Sequence, residues 1–432
     1  MTILKKFSNK SFAIYGLGIT GSSVFKFLKK KGIKKICVWD DLKKNREKFD
    51  KKIKFKTFSN QLNLVDYIVI SPGINVDKTN LRKVIKKNKH KIITDLDLFY
   101  FIYPNINSIV VTGTNGKSTT CKIIESLLKK NKKDVKLGGN IGKPVLDLKI
   151  RKTTILIIEA SSFQLAYSNY IKPKYAILLN VSKDHLDWHK NMNNYINSKF
   201  KIFSLQEKKD FAFINNDNLI KKFKLKKNKS KLISVNGNAY SKIKKKINND
   251  YLNSKVNHKN MIFVYSLAKL MKIKKNLFID CCNSFKGLPH RYEFFLKKND
   301  IKFINDSKAT SFESSKYALE SNKNIFWIVG GLPKLKDKFY FKHIKKNIIK
   351  SYIIGKNINF FKRELKNKIN FQVTKNLKNS MTEICKDIKY KNIKNATILF
   401  SPASASYDQY KNFVERGNKF KKIANNYANR YL

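Results

Sequence analysis

Short apolar segments that end in glycine, serine, threonine or an acid recur along the chain, and segments with helical spacing follow them. Examples are FAIYGLG near residue 15, SIVVTG near residue 110 and ILIIEASS near residue 158. Strands that alternate with helices in this way predict parallel sheets with helices on their faces, which is an α/β fold. In such sheets, polar side chains at the carboxyl ends of strands face the crevice where ligands bind.

The length of the chain, 432 residues, exceeds that of an ordinary single domain. The strand pattern predicts three domains: an N-terminal Rossmann-like domain at 1–93, a central P-loop-type domain with a parallel sheet at 94–287, and a C-terminal Rossmann-like domain at 288–432. Residues 205–255 are rich in lysine and asparagine, with short β-like pieces, and permit no detailed assignment.

The formal net charge of +62 would suit a nucleic-acid-binding protein. The lysines are spread along the chain instead of forming one basic patch, so we expect no specific nucleic-acid partner and keep a basic nucleic-acid-binding protein as an alternative. No apolar run is long enough to cross a bilayer, so we expect no membrane insertion. The five cysteines show no CxxC pair, which favours reduced thiols in a cytoplasmic protein. Separately, we expect the protein to be a monomer.

A first glycine loop, GLGITG, follows the first predicted strand. Gly16, Gly18 and Gly21 fit the G-x-G-x-x-G pattern, and Asp40 lies about twenty residues further on, as in a dinucleotide-binding fold. The same glycines also suit any tight turn from a strand into a helix. The pattern therefore indicates a helix N-terminus that can hold a phosphate and does not specify a nicotinamide cofactor.

A second loop, GTNGKST at 113–119, resembles a Walker A motif but has two residues between its glycines where that motif has four. An apolar strand precedes it and a segment with helical spacing, 117–130, follows it. Backbone N–H groups from Gly113 to Lys117 are suited to cradle phosphates, and the Lys117 ammonium offsets charge on a transferred phosphoryl group. The hydroxyls of Ser118 and Thr119 are suited to reach Mg²⁺.

Two further strands end in ionisable residues on the same predicted rim. Glu159 ends the strand ILIIE, and Asp184 and His185 follow the strand AILLNVS. A carboxylate there is a candidate magnesium ligand, with a helix-capping acid as the alternative. Together with the loop at 113–119 these residues predict a magnesium-ATP site on the central domain.

The order of the motifs TGTNGKST, EASSFQ, NVSKDHLD, GLPHR, NDSKAT and SPASASYDQYKNFVERG resembles that of the Mur ligases. The short phosphate loop is the one that this superfamily shares with folylpolyglutamate synthases. The last three motifs resemble those of the member that adds D-glutamate, and the resemblance covers nearly the whole chain.

This resemblance implies an ATP-dependent ligase of peptidoglycan precursor synthesis. It would add D-glutamate to UDP-N-acetylmuramoyl-L-alanine through an acyl phosphate and release ADP and phosphate. The N-terminal domain would bind the UDP substrate, the central domain ATP, and the C-terminal domain the amino acid while closing over the nucleotide. A folylpolyglutamate synthase, the main alternative, should lack the N-terminal domain, and a nicotinamide dehydrogenase would leave Lys117, Glu159 and His185 unexplained.

The resemblance also implies roles for individual residues. The substrate residues would be Ile19, Thr20, Asp40, Gly73 and Asn140 for the UDP-linked substrate, with Thr310, Lys334, Ser406 and Phe413, and Lys308 in the same motif, for D-glutamate. The ATP residues would be Gly113, Thr114, Asn115, Gly116, Lys117, Ser118, Thr119, Asn257, Asn260, Arg291 and Asp306. The catalytic residues would be Lys117, Glu159, His185 and Lys199, with one Mg²⁺ on Ser118 and Glu159 and a second between His185 and Lys199, the latter carbamylated.

Overall fold

The computed structural model describes residues 7, 9–49, 55–334, 337–340, 342–390, 393 and 395–431. The chain forms two compact units, Met1–Phe285 and Lys286–Leu432. The first unit contains two sheets and the second unit contains one. The α/β prediction is confirmed, while the domain boundaries at 93 and 287 remain a prediction.

The first sheet has four parallel strands in the order β2-β1-β3-β4. Its strands are β1 Phe12–Tyr15, β2 Ile36–Trp39, β3 Tyr67–Ile70 and β4 Ile92–Ile93. Its helices are α1 Ile19–Lys30, α2 Lys43–Arg46, α3 Phe55–Leu64 and α4 Arg82–Lys87, and α5 Asp95–Ile102 leads to the next sheet. The strands are buried on both faces, as in a parallel sheet covered by helices.

The second sheet has six parallel strands in the order β10-β9-β8-β5-β7-β6. Its strands are β5 Asn107–Thr112, β6 Val135–Gly139, β7 Ile155–Glu159, β8 Tyr175–Leu178, β9 Phe211–Ile214 and β10 Lys231–Ser234. Its helices are α6 Lys117–Lys130, α7 Ser162–Tyr167, α8 Leu186–His189, α9 Met192–Phe200, α10 Asp217–Leu225, α11 Asn238–Lys244, α12 Asp250–Asn253, α13 Lys255–Leu270 and α14 Lys275–Asn283. The stretch left without assignment, 205–255, thus adds the edge strand β10, its neighbour β9 and three helices to this sheet.

The third sheet has six strands in the order β11-β12-β16-β13-β14-β15, and β11 alone runs antiparallel to its neighbour. Its strands are β11 Glu293–Lys298, β12 Ile301–Asn305, β13 Ile325–Gly330, β14 Ile348–Ile354, β15 Phe371–Lys375 and β16 Thr397–Phe400. Its helices are α15 Phe312–Glu320, α16 Ile358–Leu365, α17 Leu377–Tyr390 and α18 Phe413–Tyr431.

One apolar cluster runs through both sheets of the first unit. It joins Phe12 and Val69 of the first sheet to Leu156 and Leu178 of the second, with Leu96 of the connecting helix α5 between them. Burying such side chains is the main favourable term in folding, at about 25 cal/mol per Å² of apolar surface. Within the described ranges, we find no helix with the length and apolarity that crossing a membrane would require.

Candidate active site

The loop at 113–116 connects β5 to α6, and its backbone conformation requires glycine. Gly116 has φ +85°, in the left-handed region, and a Cβ built on it would lie 2.2 Å from Oδ1 of Asn260. Both the conformation and the space therefore exclude a side chain at this position. The helix begins at Lys117, as predicted, so its first N–H groups open toward the loop.

The segment that follows β8 holds this loop in place. The backbone N–H groups of Thr114 and Asn115 donate to the backbone oxygen and to Oδ1 of Asn180, at 3.0 and 2.9 Å. The Thr114 hydroxyl lies 3.0 Å from the Tyr195 hydroxyl of α9. The loop is thus prebuilt, which lowers the entropic cost of ordering it around a ligand.

Two lysine ammonium groups converge on one carbonyl of the loop. Nζ of Lys117 and Nζ of Lys199 each donate to the Gly113 oxygen at 2.9 Å, and Lys117 also donates to the Thr114 oxygen. The Lys199 side chain is 1% exposed. Burial, together with the nearby Lys117 charge, holds the pKa of Lys199 well below its usual value, and Asp184 opposes this shift. The Lys117 ammonium and the N–H groups at the start of α6 therefore make this end of the second sheet suited to anions.

Glu159 ends β7 and is 2% exposed. Its Oε1 accepts a hydrogen bond of 2.8 Å from Nδ2 of Asn140, whereas its Oε2 is buried and lacks a hydrogen-bond partner among the described residues. A buried carboxylate oxygen without a donor is costly unless a cation or another donor satisfies it. Ser118, buried in the first turn of α6, offers a hydroxyl of the type Mg²⁺ accepts. The donor set therefore fits a magnesium ion, although the described residues contain no group of three His, Cys, Asp or Glu side chains suited to a metal.

His185 follows β8 with φ +52° and stands before the first turn of α8. Its Nε2 lies 3.4 Å from Oδ2 of Asp184, and its ring packs against Phe163 at 4.6 Å between centroids. The neighbouring His189 is buried and bonds the Ser162 hydroxyl at 3.0 Å. Burial lowers the pKa of His189 to about 4, so this histidine is a neutral packing residue near neutral pH.

Two buried asparagines of α13 brace the phosphate loop from its other side. Nδ2 of Asn260 donates to Oδ1 of Asn257 at 3.1 Å, and Nδ2 of Asn257 donates to the backbone oxygen of Tyr251 at 2.9 Å. The Tyr251 hydroxyl lies 3.2 Å from that of Thr119. Asn257, Asn260 and Thr119 thus lie beside the loop, with the Thr119 hydroxyl directed to Tyr251. Contact of these residues with ATP, and of Thr119 with Mg²⁺, remains a prediction.

The first glycine loop, between β1 and α1, uses its acid internally. Asp40 is 6% exposed, and its Oδ2 accepts a hydrogen bond of 2.6 Å from the N–H of Leu17 in the loop. Its two carboxylate oxygens also accept from the N–H of Leu42 and from Nδ2 of Asn45. Asp40 therefore shapes the loop, whereas Ile19 at the start of α1 is 81% exposed.

Gly73 lies in the turn after β3, next to this loop. The preceding Ser71 hydroxyl donates to the Gly16 oxygen at 2.7 Å, which ties the two segments together. A Cβ on Gly73 would have open space around it. Ile19, Thr20 and Gly73 thus share one end of the first sheet, and their contact with a UDP group remains a prediction.

In the second unit, Asp306 follows β12 and is 5% exposed. Its oxygens accept hydrogen bonds from the N–H of Tyr292 at 3.0 Å and from the Ser401 hydroxyl at 2.7 Å. Burial raises the pKa of Asp306 to about 6, against the opposing effects of these bonds and of the Arg291 charge. Nε of Arg291 is buried and without a hydrogen-bond partner within the described ranges.

Three loops at the carboxyl ends of β12, β13 and β16 meet in the second unit. The N–H of Ser404 donates to the Ala309 oxygen at 3.3 Å, and Leu332 and Ala405 exchange two backbone hydrogen bonds of 2.9 Å. Nζ of Lys308 lies 5.1 Å from the centroid of the Phe413 ring. The predicted D-glutamate residues Lys308, Thr310, Lys334, Ser406 and Phe413 all belong to these loops or to the start of α18, and their roles remain predictions.

The sequence reasoning missed several residues that hold the site. Asn180 and Tyr195 fix the phosphate loop, and Arg416, which is 1% exposed, ties loops in the second unit. Asn180 lies two residues after β8, and a polar side chain just beyond the carboxyl end of a parallel strand is a signal that the sequence contains. Arg416 lies within the motif SPASASYDQYKNFVERG, but nothing in the motif shows that this arginine is buried or which oxygens it binds. The two predicted ligands of the second metal point to different partners, Lys199 to the Gly113 oxygen and His185 to Asp184.

Comparison with known proteins places this geometry in a family. The Mur ligase middle domain matches residues 111–278, and the Mur ligase MurD-like N-terminal domain matches residues 10–93. A relative from Rickettsia felis named UDP-N-acetylmuramoylalanine–D-glutamate ligase is 35% identical over 96% of this chain and 97% of its own length. A relative of the same name from Rickettsia bellii is 35% identical over 98% of this chain and 99% of its own length.

Solved structures share the fold at low identity. MurF from Acinetobacter baumannii has a TM-score of 0.58 at 12% identity, covering 88% of this chain and 89% of that one. MurF ligase from Thermotoga maritima, solved in complex with ADP, has a TM-score of 0.56 at 16% identity, covering 87% of this chain and 94% of that one. The chain belongs to the Mur ligase family, among the UDP-N-acetylmuramoylalanine–D-glutamate ligases.

Proposed function

We propose that this protein uses ATP to join D-glutamate to UDP-N-acetylmuramoyl-L-alanine, releasing ADP and phosphate, as a step of peptidoglycan precursor synthesis. The observation that carries the proposal is the convergence of Lys117 and Lys199 on the Gly113 carbonyl, inside a prebuilt loop that adjoins the strand ending in buried Glu159. Relatives that match nearly the whole chain are named UDP-N-acetylmuramoylalanine–D-glutamate ligase, and this name supports both proposed substrates, the UDP-linked one and D-glutamate. The ADP bound to a MurF of the same fold supports the nucleotide.

In the first step, the alanyl carboxylate of the substrate attacks the γ-phosphoryl group of ATP and forms an acyl phosphate. The N–H groups of the loop 113–118 and the Lys117 ammonium bind the phosphates. Negative charge spreads over the equatorial oxygens of the phosphoryl group as it transfers, and fixed cations stabilise that charge more than they stabilise the ground state. Lys117 therefore lowers the barrier as well as binding ATP.

Glu159 and Ser118 are the residues that would hold the first magnesium ion. When bound, the ion would offset part of the negative charge on the phosphates. Glu159 Oε2 supports this assignment because it is buried and without a partner among the described residues. Asn140 fixes the rotamer of Glu159 through Oε1 and reaches the same edge of the sheet, where it would orient the substrate.

Lys199 and His185 are the proposed ligands of a second magnesium ion, after Lys199 has been carbamylated. The lowered pKa of Lys199 supports this because the neutral amine is the form that adds CO₂, giving a carbamate and a proton. The product is an anion in place of an ammonium, which suits a metal ligand. The carbamate would replace the present bond to Gly113 O.

In the second step, the amine of D-glutamate attacks the acyl phosphate, and the tetrahedral intermediate expels phosphate. D-Glutamate has two carboxylates, which need cations and hydroxyl or N–H donors. The residues proposed to bind it are Lys308, Thr310, Lys334, Ser406 and Phe413, and those proposed for the UDP-linked substrate are Ile19, Thr20, Asp40 and Gly73. Asn257, Asn260, Arg291 and Asp306 are proposed to bind ATP.

The five cysteines are unpaired, which fits a reducing compartment, and we propose that the protein is cytoplasmic. We also propose that it is a monomer.

Phosphate release by the purified protein tests the proposal. Mg²⁺, ATP and UDP-N-acetylmuramoyl-L-alanine are supplied with D-glutamate, L-glutamate or L-lysine, and the product is identified by mass spectrometry. We expect product with D-glutamate alone. Turnover with another amino acid would support the ligase chemistry and overturn D-glutamate as the acceptor. RNA binding without turnover would instead support the alternative of a basic nucleic-acid-binding protein.

A further inference from the structure

A buried guanidinium in the second unit joins two of the loops proposed to bind the acceptor amino acid. Arg416 lies in the first turn of α18, and its side chain is 1% exposed. Its Nη2 donates to the backbone oxygens of Ser307 and Ser404, at 2.7 and 2.8 Å, and its Nε donates to the Ser307 hydroxyl at 3.1 Å. Ser307 precedes Lys308, and Ser404 lies two residues before Ser406. One side chain therefore fixes the backbone beside two proposed acceptor-binding residues.

The same guanidinium lies beside the third loop. A Cβ built on Gly331, in the loop after β13, would lie 3.1 Å from Nη1 of Arg416 and 2.4 Å from the Ser404 hydroxyl oxygen. Nη1 is buried and makes no hydrogen bond to the described residues. The loops after β12, β13 and β16 thus meet around one planar group, whose fixed fork holds several acceptors at once.

The partners of Arg416 leave its charge largely uncompensated. All three hydrogen bonds go to neutral carbonyl or hydroxyl oxygens. Burial lowers the pKa of Arg416 to about 10, partly opposed by Asp408 and Asp306, so the group stays protonated near neutral pH. A buried charge without a close counter-charge is unfavourable, and an anion bound nearby relieves that cost.

We propose that Arg416 is a positioning residue for the acceptor amino acid. It sets the mutual geometry of the three loops and supplies a positive potential that favours the carboxylates of the acceptor. Since the guanidinium is fully buried, it acts through Lys308, Ser406 and the turn at Gly331 and does not touch the amino acid itself. The inference rests on the proposed function, because it assigns the loops to D-glutamate.

The test compares wild-type protein with Arg416→Lys, which keeps the charge and loses the fork, and with Arg430→Lys as the matched control. Arg430 lies near the end of the same helix and is exposed. We expect Arg416→Lys to raise KM for D-glutamate at least tenfold while KM for ATP and for the UDP-linked substrate stays within twofold. ADP formed in a single turnover without D-glutamate should also stay within twofold, because acyl phosphate formation precedes acceptor binding. Arg430→Lys should match wild type throughout.

An unchanged KM for D-glutamate in folded Arg416→Lys would overturn the proposal, and so would an equal loss in every parameter, which marks a purely structural role. If this variant does not fold, Ser307→Ala decides the matter. It removes one acceptor of Arg416 and the bond from the Ser307 hydroxyl to the Phe413 oxygen. It should raise KM for D-glutamate severalfold, and no rise would count against the proposal. Wild-type protein that ignores D-glutamate would overturn the proposed function instead.

Discussion

The two glycine loops of the first unit have similar backbone geometry but are surrounded by side chains of opposite charge. Each joins a parallel strand to a helix, and each contains a glycine in the left-handed region, Gly16 with φ +93° and Gly116 with φ +85°. In the first loop a buried carboxylate, Asp40, accepts the N–H of Leu17. In the second loop two lysines donate to one carbonyl. Glycine spacing therefore gives the turn, and the charged side chains around the turn decide whether it is suited to transfer a phosphoryl group.

The largest expected effect is that of removing the lysine that only the second loop has. Lys117→Met should lower kcat by about a thousandfold or more, since electrostatic stabilisation in such sites is commonly the largest catalytic term. Phosphate release under saturating substrates measures this. Lys130→Met, at the other end of the same helix, is the control and should keep activity. Activity within tenfold of wild type in Lys117→Met would mean that the two loops do not differ in this way.

Glu159→Gln should have the next largest effect. The change keeps the shape, and the hydrogen bond with Asn140 can be kept through an amide flip, but the charge is lost. We expect kcat to fall about a hundredfold and the magnesium concentration for half activity to rise, because a hard cation prefers an anionic oxygen. A magnesium titration of phosphate release measures both. A rate loss without any shift in the magnesium dependence would contradict the assignment of Glu159 as a ligand.

A matched pair of glycine substitutions compares the two loops directly. Gly116→Ala places a Cβ against Asn260 and should raise KM for ATP at least tenfold. Gly18 has φ −65°, and a Cβ added there would have no atom within 4 Å. The melting temperature of Gly18→Ala should therefore stay within about 2 °C of the wild-type value. Thermal unfolding and ATP titrations of both variants separate the strained position from the open one. Equal changes in melting temperature and in KM for ATP in the two variants would contradict the distinction between the strained Gly116 and the open Gly18.

The smallest expected effect concerns the acid of the first loop. Asp40→Asn weakens a charge-assisted hydrogen bond to Leu17, which costs about 1–2 kcal/mol of folding stability. KM for ATP should not change, whereas KM for the UDP-linked substrate should rise a fewfold as the loop loosens. Denaturant unfolding and steady-state kinetics check the two effects. A rise in KM for ATP in Asp40→Asn would contradict this prediction, because it would show that the first loop affects nucleotide binding at the second.

The strands that carry the chemistry could be predicted because each is an apolar run followed by a polar motif, as in β5, β7 and β8. β6 lacks this pattern, since its segment mixes lysine and glycine with two apolar residues, Val135 and Leu137. β11 lacks this pattern because its segment EFFLKK has neither a continuous apolar run nor a regular alternation, and its residues are only partly buried or exposed at the antiparallel edge. The edge strand β15 also lacks this pattern, since most of its residues are only partly buried.

The candidate site divides in the same way. Lys117 and Glu159 were predicted because their place after a strand or before a helix fixes where they lie. The contact of Lys199 with Gly113, the internal use of Asp40 and the burial of Arg416 depend on distant backbone oxygens and N–H groups. Sequence spacing contains no information about such pairings. Tertiary hydrogen bonds of this kind require coordinates.

The apolar cluster that runs through both sheets of the first unit also has a consequence for the order of folding. Phe12 and Val69 belong to a cluster that is completed by Leu156 and Leu178, which the ribosome adds much later. A nascent chain that ends at residue 93 would leave that face of the first sheet in water. The N-terminal segment should therefore remain incompletely folded, and dependent on chaperones, until the central sheet has been synthesised.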